Sequence, residues 1–374
     1  MTPLLRTIGW GVFCACSWTW CIGMFLPHIM LDRWGWAGFL VFAIPNVLGC
    51  AAMGYVVRSA DASRALCATH ETAARWFSLV TIGYHTWFAA FAARFLLPAE
   101  SPLWLASVLP VSLLAAGLLI ARIPARAWLP LGVAVYALSL VTLATLGAEP
   151  LRAGLRTAGS MSGTDLAFTA PVIVIGFLLC PYLDLTFHRA RQHAPSRHAF
   201  GVFGVTFAIM ILLTCAYKVV PTGFAAALVV VHVSAQAVFT VAAHVRELNE
   251  PASAPTRATP TGSGPWLAVG LAPALLLPLT GLFDDPAAAG RDIYLRFLVI
   301  YGLLAPAYVL LCMTRPGMPR RAVRVFFIAI VALMPLYELG YLHAGFAWML
   351  LIPAGLGLVQ AARRLAARAP AEAG

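Results

Sequence analysis

Two stretches decide how this chain is read: Trp18-Thr19-Trp20-Cys21-Ile22-Gly23-Met24-Phe25-Leu26-Pro27 and Ile175-Gly176-Phe177-Leu178-Leu179-Cys180-Pro181. In each, an Ile-Gly pair precedes three large apolar residues, and a proline follows at once or one residue later. Both lie inside long apolar runs. Glycine weakens a helix, and an interior proline deletes one backbone hydrogen bond and crowds the preceding turn. Without water, the freed carbonyls and amides need other partners. Both places are therefore candidate helix interruptions, the alternative being that Pro27 and Pro181 merely kink packed helices, as Pro45, Pro110, Pro273 and Pro278 are expected to do.

The surrounding composition explains why such breaks matter. Of 374 residues, 61% are hydrophobic and 10% charged, with a mean hydropathy of +0.86. Soluble domains run at about 45–50% apolar and about 25% charged, so a water-soluble enzyme, a disordered chain and a disulfide-stapled module are all excluded. The apolar runs are about 20–25 residues long and lack two-residue alternation, which selects spanning helices over barrel strands. The net charge of +11 is spread between these runs, with no basic stretch interleaved with aromatics, so no nucleic-acid partner is expected. The eight cysteines lie mostly in apolar segments without a CxxC pair, and no metal or other cofactor is expected.

Twelve spans are expected, at 7–31, 36–57, 74–97, 103–121, 127–147, 166–187, 198–219, 223–245, 266–283, 293–313, 322–337 and 343–361. With the N-terminus inside, 18 arginines, among them Arg64, Arg126, Arg197 and Arg363, fall on the inner side and five, including Arg33 and Arg152, on the outer. Excess basic charge marks the cytoplasmic face, so both termini are expected there. The match between the two stretches extends into the following spans, with Phe42-Ala43-Ile44, Leu48, Cys50 and Ala51 answering Phe207-Ala208-Ile209, Leu213, Cys215 and Ala216. Five spans separate the partners, an odd number, so the halves are expected to be inverted repeats. The first covers 1–147 and the second 148–313 with an outer loop at 148–165. Residues 314–374 then hold two extra helices and a basic tail.

At this point the chain resembles the LeuT-fold, or amino acid–polyamine–organocation, superfamily of secondary transporters. The region from Trp18 to Pro27, with Phe42-Ala43-Ile44-Pro45-Asn46 after it, is similar to bacterial sodium:solute symporter-like proteins. The resemblance implies an all-α bundle with discontinuous first and sixth helices in a bacterial inner membrane. It also implies a small-molecule site lined by Trp20, Cys21, Gly23, Phe25 and Pro27, by Gly176, Cys180, Pro181 and Tyr182, and by the middles of spans three and eight. Paired interruptions of this kind are the best sequence pointer to such a site.

Ionisable groups at membrane depth are candidates because burial costs them several kcal/mol unless they are paired. Asp184 is a candidate for a coupling proton, a cation or an amine, against a salt bridge with Arg189 or His188. His85, beside Tyr84 in span three, is either a site residue or an interhelical hydrogen bond. His232 and Gln236 share one face of span eight by their i, i+4 spacing; Ser234, on another face, is a candidate for ion coupling. Lys218 is expected to snorkel, Glu338 and His343 to lie in a solvated loop, and Asp165 to cap span six. Trp10, Trp34, Trp36, Trp104, Trp128 and Trp266 are expected to anchor span ends. Span eight offers Ser234 and Thr240 singly, without the adjacent hydroxyl pair common in sodium-coupled members, so the coupling ion, sodium or proton, stays open. The leading expectation is a transporter of a small organic solute. The alternatives are a membrane-embedded enzyme acting on a lipid-linked substrate and a non-transporting sensor or accessory subunit.

Overall fold

A computed structural model describes residues 1–96, 103–218, 223–249, 286–314 and 320–366. All regular structure among these residues is helical. Eight helical runs, 21–56, 125–146, 163–183, 199–218, 223–249, 290–313, 320–342 and 346–365, are long and apolar enough to cross a bilayer. The chain is an all-α, multi-pass membrane protein. The expected ninth span, 266–283, lies outside the described residues.

The chain opens with α1 (Pro3–Trp18), whose Thr2 hydroxyl accepts from Leu5 N at 3.3 Å and whose first position is a proline, as helix starts favour. A π-helical turn over Thr19–Gly23 leads into α2 (Met24–Val56). The latter is two helices, because Gly35 sits at φ 61° and ψ −150°, a backbone state that only glycine adopts without strain. The break lies between the ends expected for spans one and two. Its freed carbonyls are capped from far along the chain. Ser160 N donates to Asp32 O at 3.0 Å and Arg33 O at 2.9 Å, and Met161 N donates to Arg33 O at 2.7 Å.

Next come α3 (Ala60–Thr69), α4 (Glu71–Leu96), α5 (Leu103–Ile120) and α6 (Trp128–Leu146). The expected outer loop carries a short helix, α7 (Ala148–Leu155). α8 (Gly163–Leu179) is capped by Ser162, not by Asp165: Asp165 N donates to Ser162 Oγ at 3.1 Å, while the Asp165 carboxylate accepts the hydroxyl proton at 2.8 Å. A 3-10 turn over Cys180–Leu183 separates α8 from α9 (Leu185–His193). α10 (Ala199–Thr214) and α11 (Gly223–Asn249) follow. Beyond the undescribed segment lie α12 (Pro286–Phe297), a π-distorted continuation to Met313, α13 (Arg320–Tyr337) and α14 (Leu351–Ala366).

α1 lies along α10 and α6, and the second half of α2 packs between α10 and α8. α11 packs on α4, α5 and α6 and also touches α1. α9 fits between α1, α3 and α11. Close approach is bought by small residues: a Cβ on Gly176 would stand 2.5 Å from the Tyr301 carbonyl.

Several span-end expectations change. Trp36 is exposed as an interfacial anchor should be, but Trp10, Trp34 and Trp128 are buried. Trp128 meets Phe13 and Phe239 edge-on, with the Arg246 guanidinium 5.0 Å over its ring. The core recruits these rings because each removes a large apolar area from its surroundings. The Trp104 side chain and Trp266 lie outside the described residues. The exposed Lys218 pairs its ammonium with Asp32. Glu338 sits on a π turn that continues α13, not in a loop, and accepts from Arg296 at 2.7 Å, with His343 Nε2 3.7 Å away.

Candidate functional site

The first interruption is the turn Thr19–Gly23. Pro27 lies four residues beyond Gly23, so it cannot donate to that carbonyl, and its ring crowds it. The disturbance is absorbed upstream, in a π turn, which is where such distortions accompany function. Within the turn Cys21 adopts φ 42°, a left-handed conformation that costs a non-glycine residue roughly 1–2 kcal/mol. Pro27 itself is buried inside a regular helix.

Side chains from four helices close around this turn. The Cys16 carbonyl, at its entrance, accepts from the Gln236 amide and from Thr240 Oγ1 at 3.2 Å, both on α11. Tyr294 donates to the Cys21 carbonyl at 3.3 Å. His85 Nδ1 lies 2.6 Å from Thr81 O and so carries the proton there. The other ring nitrogen, Nε2, then faces Cys21 Sγ at 3.6 Å as an acceptor for the thiol. Trp18 Nε1 donates to Asn46 Oδ1 at 2.8 Å. Two amides are left half-satisfied against the turn: Gln236 Oε1 and Asn46 Nδ2 are buried without a partner. Each such atom costs about 1–3 kcal/mol, a cost that cores rarely tolerate without a use.

The second interruption is sharper. Pro181 has no N–H to continue the α8 ladder, the next residues tighten into a 3-10 turn, and Asp184 is extended at φ −79° and ψ 112°. A new helix then starts, with Asp184 as its N-cap: Oδ1 accepts from Thr186 N and Thr186 Oγ1, both at 2.7 Å. Thr186 Oγ1 is also 3.0 Å from Ser17 Oγ, which ties the two interrupted helices together. Both interruptions touch α4.

Asp184 pairs with neither of the partners weighed for it. His188 is occupied at both nitrogens, by Ser63 Oγ and by the Tyr182 carbonyl, each at 2.9 Å. Arg189 forms a buried ion pair with Glu247 of α11. The nearest basic atom to Asp184 is His244 Nε2, at 3.8 Å. At the end of α9, His193 stacks on Trp10; partial burial and the nearby arginines, Arg189 first, hold its imidazole below the usual histidine range.

The expected site residues therefore divide. Cys21, His85 and Gln236 converge on the first turn. His232 is buried on the Gln236 face but pairs with Tyr217 at 2.7 Å. Phe25 and Tyr84 belong to an aromatic cluster, Phe25 lying 4.9 Å from Tyr294 and 5.3 Å from Phe88. A Cβ on Gly23 would meet the Phe207 ring at 3.2 Å, so Gly23, like Gly176, serves packing. Gly176 and Phe177 also line a narrow apolar cleft with Leu26, Tyr301 and Tyr337. Cys180 and Pro181 are buried in the second turn, Tyr182 is half-buried and offers its carbonyl to His188, and Ser234 is half-buried on another face. The Trp20 side chain lies outside the described residues.

Asn46, Ser17, Thr186, Thr240, His244 and Glu247 were not among the expected site residues. A signal existed for two of them. His232, Gln236, Thr240 and His244 recur every fourth residue in an otherwise apolar helix, one polar stripe that the first pair only begins. No protein-family model matches the chain, and no curated protein shows detectable similarity to it.

Proposed function

We propose that the protein is a secondary transporter that carries a small organic solute across the membrane by alternating access. The reading takes the chain as twelve spans in two inverted five-helix halves plus two terminal helices, a LeuT-type arrangement with both termini in the cytoplasm. One observation carries it: two helices, α1–α2 and α8–α9, are interrupted inside the bundle against the same helix, α4, and the freed backbone of the first is met by polar side chains of α11 and by Tyr294. Irregular backbone at membrane depth is tolerated only where protein or a cavity surrounds it, and half-helix ends there are the usual binding groups of transporters. The aromatic cluster and the apolar cleft beside the turns suit a solute with some apolar surface.

The test is flux. Purified protein in proteoliposomes, offered a broad solute panel under sodium or proton gradients, is expected to accumulate one solute class. Gln236→Leu, which empties one donor from the Cys16 carbonyl, is expected to lower that uptake at least tenfold while the protein remains folded. No uptake of any solute by the wild type, under either gradient or none, sinks the reading.

A further inference from the structure

Asp184 and His244 are both fully buried, and each has one polar atom spent and one unspent. Asp184 Oδ1 takes both Thr186 donors, while Oδ2 takes none. His244 Nδ1 lies 3.1 Å from Ser78 Oγ, while Nε2 has no partner. The two unspent atoms face each other across 3.8 Å, beyond hydrogen-bond reach. Of the titratable groups around them, Glu247 of α11 keeps Oε2 without a partner and the Tyr301 hydroxyl reaches neither atom; the others are engaged elsewhere. On α9, His188 is held by Ser63 and Tyr182, and Arg189 by Glu247. On α11, Arg246 covers Trp128. On α4, His85 is bonded to Thr81 O. From α1, α2 and the second turn come the thiols of Cys14, Cys50 and Cys180, none of which reaches either atom.

We propose that Asp184 and His244 form a proton-binding site in which one proton is held between Oδ2 and Nε2. In this site His244 keeps its own proton on Nδ1, donated to Ser78 Oγ, so that Nε2 holds the lone pair; a proton from solution adds there, no covalent bond breaks, and the pair passes from one net negative charge to neutrality. The bridged pair can contract to charge-assisted hydrogen-bond length, which draws the start of α9 towards α11. A metal ion is not the ligand this site fits: two protein donors are too few, and no cluster of three ligating side chains occurs among the described residues. Assigning this proton as the coupling ion rests on the transporter reading; the site itself does not.

The experiment counts protons. Purified full-length protein in detergent is titrated from about pH 8 to about pH 5, across the histidine range. Asp184→Asn and His244→Gln are each expected to bind about one proton fewer per chain than wild type, and the double variant also about one fewer, because the proton is shared. No loss in either single variant, as for a water-bridged pair, overturns the site, and so does a loss of two in the double. Ser78→Ala keeps both groups and withdraws only the support of Nδ1, so it guards against misfolded variants. It is expected to leave the count unchanged and move the midpoint of uptake, and a curve identical to wild type overturns the site. Flux on the same samples separates the two readings. A shared proton without any flux overturns transport alone, and flux without a shared proton overturns the site alone.

Discussion

Cys21 carries the most strained backbone near the site, and its energetics are open to direct measurement. If the positive φ costs what it does elsewhere, Cys21→Gly relieves it while Cys21→Ala retains it, and both lose the thiol. Thermal unfolding is therefore expected to find the glycine variant more stable than the alanine variant by about 1 kcal/mol. Equal midpoints would show that the turn is relaxed. At this scale the sequence was legible where chemistry was local. His85 and Gln236 stood out because a polar group in an apolar run is conspicuous whatever surrounds it. Asp184 was conspicuous too, yet its surroundings were misread. Arg189 and His188 are close in sequence, whereas His244 and Glu247 arrive from a helix some sixty positions away, and nothing in a single sequence pairs such residues. Asn46 passed unnoticed as a site residue because its role depends on Trp18, which lies on another helix.

Elements repeat the lesson with a twist. Both prolines announced interruptions, and both interrupted helices depart from regular geometry near them, but not in equivalent ways. Pro27 displaces the break upstream, to 19–23, while Pro181 begins its own turn at 180–183. The Ile-Gly match pairs 22 with 175, whereas the turns pair 19 with 180, so the motif is eight residues out of register with the geometry it was meant to align. Steric crowding acts on the turn before a proline, and tertiary contacts decide how far the strain travels. The short α9 depends on contacts of this kind. It is only nine residues long, too short to hold itself together, and the Arg189–Glu247 pair fixes it to α11. Removing one partner from a buried pair costs about 3–5 kcal/mol, since the interaction lost no longer offsets the desolvation of the charge that stays buried. Glu247→Leu and Arg189→Met are each expected to destabilise by that order. A Glu247→Leu, Arg189→Met double variant should regain most of the loss, and denaturation of the four proteins in one detergent checks the cycle. Additive losses would mean that the pair contributes nothing jointly.

For the whole molecule, charge placement gives the sharpest expectation. All eight cysteines are buried and unpaired, so the wild type offers little background to a thiol reagent. Single cysteines at exposed arginines then report sidedness. In intact cells, Arg152→Cys is expected to react with a membrane-impermeant maleimide, and Arg64→Cys only after permeabilisation; the reverse pattern would invert the topology. That the chain is an all-α membrane protein was legible because twenty apolar residues have one physical solution in a bilayer. How the helices pack was not, because ridges and small residues that fit one another leave no mark of their pairing in the order of the chain. The cap on the Gly35 break shows what such long-range fitting entails during synthesis. The carbonyls of Asp32 and Arg33 receive their donors from Ser160 and Met161, and Ser160 is made 128 residues after Asp32. At about 5–20 residues per second, the nascent helix end waits roughly 6 to 26 seconds before those carbonyls meet their protein donors. An insertion partner, lipid headgroups or water must hold that end meanwhile, so the first five spans, released alone, would be left with a raw helix end.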